Sequence, residues 1–108
     1  MVVKIKENLG FLKSIAKAKL PKRQRLLGTA TPSQLRALQE IAFNVSKKIV
    51  PLTPCQNRNL LKGRYKKSII AAASKGGSLE KKRKIFIQKG GFLQYIIPAA
   101  LMYLQKYI

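Results

Sequence analysis

The octet TPSQLRAL, Thr31 to Leu38, returns 22 positions later as TPCQNRNL, Thr53 to Leu60. Each copy sets threonine before proline and glutamine three residues after the threonine. Those are the parts of a helix start: a threonine N-cap, a proline where the missing N–H is no loss, and a glutamine that reaches back to the cap amide. Two such starts, separated by one helix and a turn, specify two helices folded back on each other.

After the first copy, Leu35, Leu38, Ile41, Ala42, Val45 and Ile49 form one apolar stripe, opposed by Arg36, Gln39, Glu40 and Lys47. This predicts a helix over about 32 to 49, ended by the VPL turn at Pro51. After the second copy, Leu61, Tyr65, Ile69 and Ala72 define the stripe, and Arg58, Lys62, Lys66 and Lys67 occupy much of the rest. That helix is expected to stop near Lys75, ahead of Gly76 and Gly77.

The flanks extend the helical pattern. KENLGFLKSIAKAKL places Leu9, Leu12, Ile15 and Ala16 at helical spacing among lysines, a basic amphipathic helix that Pro21 stops. PKRQRLLGTA has no period and reads as a charged linker. Ser78 caps a third start, with Glu80 in its first turn, and the run KKRK leads into Ile85-Phe86-Ile87 before Gly90-Gly91 is expected to break the chain. From Gly90 to Gln105 there is no charge, yet this run is shorter than a membrane span requires and Pro98 interrupts it.

The expected fold is therefore all-α: a central helical hairpin with a basic N-terminal helix and an apolar C-terminal helix. Residues 1–30 are the basic helix and linker, 31–90 the hairpin with a short basic helix, and 91–108 an apolar tail. The tail either packs on the hairpin, completing a core that two helices cannot close, or contacts a capsid protein or membrane.

Charge decides the function class. The 108 residues carry 23 Lys+Arg against 3 acids, a net charge of +20. A chain so one-sided repels itself when compact and is expected to work beside a polyanion, nucleic acid first, with helicity that rises when salt or DNA is added. His, Asp and Trp are absent and Cys55 is the sole cysteine, which leaves no histidine base, no His/Cys metal set and no intrachain disulfide. Cys55 reads as a small side chain near a helix start, and Glu40 as a surface partner of nearby Lys and Arg. No enzyme, no cofactor and no metal site is expected, and with no secretory leader evident the protein is expected in the cytoplasm or nucleus.

The expected nucleic-acid contacts are Lys19, Lys22, Arg23 and Arg25 in the linker, Arg58, Lys62, Arg64, Lys66, Lys67 and Lys75 on the second hairpin helix, and Lys81, Lys82, Arg83 and Lys84 in the KKRK run. Gln56, Asn57, Arg58 and Asn59 stand where a helix-turn-helix would read bases. Gln56 is already committed to its capping box, however, and binding through phosphates needs only cations along the backbone path. KKRK would serve nuclear import equally well. Tyr65 falls on the core stripe, so a base-stacking platform is not favoured.

The stretch KKRKIFIQKGGFLQYIIPAALMYL, a lysine-rich segment followed by Gly90-Gly91-Phe92-Leu93 and the Ile97-Pro98 step, resembles the small basic core protein of adenoviruses, X or mu in its precursor form. It is still more similar to the X-like proteins of adintoviruses and Maverick/Polinton elements, whose N-terminal part LPKRQRLLGTATPSQLRALQEIAFNV also resembles. The resemblance implies a virion protein that binds and condenses packaged double-stranded DNA in the virion core and host nucleus. It also implies protease processing at Gly90-Gly91, although Gln88 stands where the family protease favours Ile, Leu or Met. The chain is mostly lysine where the adenoviral peptide is arginine-rich. A membrane-active amphipathic protein and an RNA-binding or ribosomal-type protein are the alternative readings.

Overall fold

In the computed structural model, the described residues are 3–47, 54–55, 58, 65–74 and 78–104. They form α1 (Val3–Glu7), α2 (Leu9–Lys17), α3 (Leu20–Gly28), α4 (Pro32–Ser46), α5 (Lys66–Ala73), α6 (Leu79–Lys89), a 3-10 turn (Gly90–Phe92) and α7 (Leu93–Leu104). Among the described residues there is no strand, so the fold is the expected all-α one.

Helix α4 is the centre. Its first turn holds the capping box in full: Gln34 N donates to Thr31 Oγ1 at 3.2 Å, and Thr31 N donates to Gln34 Oε1 at 2.8 Å. From that start α4 packs against α1, α2, α5, α6 and α7, and its contact with α5 is the most extensive in the molecule. The hairpin is thus present in its described part. The second capping box is only partly visible: Pro54, Cys55 and Arg58 are helical and exposed, while Thr53 and Gln56 lie outside the described residues. So do Ile49, the VPL turn, Leu61 and Lys75 to Gly77.

A helix surrounded on several sides buries more than a stripe. Besides Leu35, Leu38, Ile41, Ala42 and Val45, α4 buries Ala37 and Asn44. The core closes with Ile5 of α1, Leu12 and Ile15 of α2, Leu27 of α3, Ile69 and Ala72 of α5, Phe86 of α6, and Phe92, Leu93, Ile96, Ile97 and Ala100 at the C-terminal end, all fully buried. The radius of gyration, 12.4 Å, is close to the ~13 Å of a folded domain this long. The apolar tail therefore supplies core, packing on α2 and α4.

Three local expectations are corrected. Residues 20–28 are a helix, not a charged linker. Pro21 stands in the first turn, where its fixed φ suits a helix, and Leu27 with Ala30 buries one face of the segment. The missing period has a physical reason: an arginine, Arg23, holds a buried position four residues before Leu27.

Gly90-Gly91 ends the α-helix at Lys89, as expected, but does not break the helical course of the chain. Gly90 has φ −79° and ψ 11°, ordinary right-handed backbone, and Leu93 N donates to Gly90 O. Phe92 and Leu93 are thereby turned into the core beside Phe86, whose ring centroid lies 6.4 Å from that of Phe92. Helical structure runs on from Leu79 to Tyr103, 25 residues, and is long and apolar enough by length and composition to cross a membrane. Here much of its inner face is sealed in the core, and Pro98 faces solvent.

Glu40 is not an exposed surface partner. It is half-buried against α1, and desolvation pushes its carboxyl above the usual carboxylate range despite opposing backbone hydrogen bonds from Ile5 and Lys4.

Candidate nucleic-acid interface

Two of the expected phosphate contacts in the KKRK run are spent on the fold. Lys82 is 4% exposed. Its Nζ donates to Ala71 O at 2.8 Å and to Ser74 O, and Ser74 O also accepts from Gln39 Nε2 at 2.8 Å. These carbonyls belong to the last turn of α5 and to its C-cap residue, where a helix leaves acceptors without intrahelical donors. A cation there also meets the negative end of the helix dipole. Burial lowers the pKa of Lys82 from its ordinary value.

Arg83 is turned the other way. Its Nη1 donates to Leu27 O at 2.8 Å and Gly28 O at 3.2 Å, capping α3, and its Nε pairs with Glu80 at 3.3 Å. Lys81 and Lys84, one helical step away, remain exposed. The helical period of α6 thus divides one basic run into two structural ties and two solvent-facing cations.

Arg23 is 7% exposed, whereas Lys19, Lys22 and Arg25 around it are exposed. On α5, Lys66 and Lys67 are exposed, as is Arg58; Lys62, Arg64 and Lys75 lie outside the described residues, as do Gln56, Asn57 and Asn59. Tyr65 is half-buried, with its ring centroid 6.2 Å from those of Phe92 and Tyr95, so it packs as the stripe requires. Cys55 is exposed.

Gly90 is buried and Gly91 half-buried in the 3-10 turn. A protease binds its substrate extended, so cutting there would require this turn to open first.

One grouping emerges that spacing had not shown. Helix α2 ends at Lys17 and the chain extends through Ala18, ψ 140°, and Lys19, ψ 166°, before α3 begins. This elbow folds Lys17, Lys19 and Lys22 around an open concavity of about 400 Å³, with Ser14 and Ala18 completing its lining. Three lysines and a serine lining one hollow are side chains of the kind that bond phosphate oxygens without demanding a fixed orientation. Lys17 was legible only as a member of the α2 helix; the sharp bend at Ala18-Lys19 that brings it to Lys22 is a tertiary fact.

The acids do little to offset this surface. Glu7 pairs with Lys4 at 3.6 Å and Glu80 with Arg83 at 3.3 Å, the only ion pairs among the described residues. Lys13, Lys17, Lys19, Lys22, Arg25, Lys66, Lys67, Lys81, Lys84 and Lys89 are all exposed and make no ion pair among the described residues. No protein-family model, curated protein or solved structure matches the chain.

Proposed function

We propose that this protein is a non-enzymatic binder of double-stranded DNA that neutralises phosphates largely without regard to sequence and condenses the duplex, as a viral core protein does. The observation that carries the reading is the separation of cations just described. Those the fold needs are buried or capped, and the remainder, mostly lysines, face solvent on α2, α3, α5 and α6 with almost no acid among them. Lysine is a compact point charge that neutralises phosphate without a preferred geometry, which fits binding along the duplex backbone better than base reading. The resemblance of most of residues 12 to 104 to adintovirus and adenovirus core proteins supports the same class, and on that reading the protein accompanies packaged DNA in the virion and nucleus.

The test is a titration against duplexes of unrelated sequence across a salt series. Comparable affinities that fall steeply with salt are expected, because each neutralised phosphate releases counterions. Binding indifferent to salt would overturn the reading, and a clear preference for folded RNA at matched salt would move it to the RNA-binding class.

A second reading has its own observation. On α7, Tyr95 is 49% and Met102 79% exposed, with Pro98 between them on the solvent side. An apolar stripe on so cationic a protein would suit the surface of an anionic membrane. Leakage of anionic vesicles at concentrations that leave DNA unbound favours this reading; intact vesicles count against it.

A further inference from the structure

Arg23 is the one arginine whose side chain the fold buries without giving it an acceptor among the described residues. It is 7% exposed, and its side chain makes no hydrogen bond or ion pair there. Among the described residues no carboxylate answers the charge, because the three glutamates are placed elsewhere: Glu7 beside Lys4, Glu80 beside Arg83, and Glu40 against α1. The sealed polar atoms that lack partners are Glu40 Oε2 and Asn44 Nδ2, not the guanidinium nitrogens, which keep contact with solvent. The stem of Arg23 is therefore clamped while its head stays reachable.

The head lies at the junction of α6 and α7. Its Nε is 4.0 Å from where a Cβ would stand on Gly90, and the exposed Lys89 and Lys22 adjoin Gly90 and Arg23 in the chain. A guanidinium held rigid by packing has its rotamer entropy already spent, and its planar fork matches two oxygens of one phosphate. The fold gives this fork no acceptor while leaving it in contact with solvent, so a phosphate seated on it supplies the acceptors that the described residues do not.

We propose that Arg23 is the seat for one backbone phosphate of the bound duplex, a packed contact among solvent-exposed lysines. This rests on the nucleic-acid reading above and adds to it a single oriented contact at the corner between α3 and Gly90.

The experiment compares the full-length chain with R23M, R23K and the exposed control R25M. It measures thermal melting in chloride and in inorganic phosphate at matched ionic strength, and duplex binding across salt. Phosphate is expected to raise the melting temperature of the wild type and not of R23M. R23M should melt no lower than the wild type in chloride, since it keeps an apolar stem and breaks no hydrogen bond or ion pair. R23M should also bind duplex several-fold more weakly, with a salt slope lower by about one, and R23K, a charge without a fork, should lose most of the phosphate response.

If R25M lowers the salt slope and R23M does not, the Arg23 seat is overturned while the nucleic-acid reading stands. If duplex binding is independent of salt for every variant, the nucleic-acid reading itself fails. A phosphate response lost in R23M with duplex binding unchanged would mark a free-anion site only and overturn the proposal. Melting in chloride that drops for both R23M and R23K would mark Arg23 as a structural residue and overturn it as well.

Discussion

Arg83 Nη1 donates to the carbonyl oxygen of Leu27 at 2.8 Å, joining α6 to the last turn of α3 across 56 residues of sequence. Leu27 O and Gly28 O sit at the end of α3, where Leu27 O accepts a backbone bond from Ala30 N at 3.3 Å and the helix supplies no further turn. An arginine from the basic run satisfies both, while Glu80 holds its Nε side. A residue that reads as a phosphate contact is thus a tie between two helices. Its neighbour Lys84 has no such tie.

The first prediction separates the two kinds of cation. R83A should lose about 1–3 kcal/mol, since it leaves two carbonyls short of a charged donor. K84A should stay within about 0.5 kcal/mol, as exposed substitutions do. Urea unfolding followed by circular dichroism measures both. Duplex affinity should move the other way, with K84A lowering the salt slope more than R83A does once the fraction folded is matched.

Lys82 carries a dependence on alkaline pH. Burial sets its folded pKa below the ordinary lysine value of 10.5. Between the lowered value and 10.5 the unfolded chain binds more protons than the folded one, so this residue's contribution makes stability rise with pH across that window. Below the window the full cost of burying the ammonium is present, and above it the cost is gone. K82M should flatten that rise while lowering stability overall, because Ala71 O and Ser74 O lose a donor. Unfolding titrations below and within the window test this; an unchanged slope in K82M would refute it.

Glu40 acts in the acid range with the opposite sign. Desolvation raises its folded pKa above the ordinary carboxylate value. The protonated side chain is the one the fold tolerates, so its contribution is fully present below the unfolded pKa and is lost as pH rises through the folded one. E40Q, neutral at every pH, should be more stable than the wild type near pH 7. The two curves should converge as pH falls below the carboxylate range. Thermal melting of both proteins from pH 3 to 7 measures the gap, and a gap that does not close at low pH would exclude titration of Glu40 as its source.

What the sequence makes legible here are the signals carried by a few adjacent residues. Thr31, Pro32 and Gln34 announce α4, and Ser78 announces α6, because a cap is local chemistry. Leu35, Leu38, Ile41 and Val45 announce the buried face of α4 for the same reason, their spacing being set by the helix itself. Ala37 and Asn44 are buried only because helices from several parts of the chain surround α4, which no period within α4 can show. α3 carries no such signal, because Arg23 stands where an apolar residue would complete the pattern. The site suffered most: Lys82 and Lys81 are identical in type and adjacent in the chain, and their fates depend on where the end of α5 lies. Lys17 and Lys22 belong to different helices, and only the bend at Ala18-Lys19 makes them neighbours.

The apolar tail gives the last prediction, because two of its residues with similar character should behave differently. Ile96 is fully buried and Met102 is 79% exposed. I96A removes three buried carbon atoms from a core to which Phe86, Phe92 and Ile97 also contribute, and should cost about 2–5 kcal/mol. M102A should change stability by no more than about 0.5 kcal/mol. If the exposed stripe of α7 serves a membrane surface, M102A together with Y95A should weaken binding to anionic vesicles while duplex affinity holds. If α7 exists only to close the core, the same pair should leave vesicle binding as it was. Urea unfolding and vesicle flotation on the same variants distinguish a helix that supplies core alone from one that supplies core on one side and a contact surface on the other.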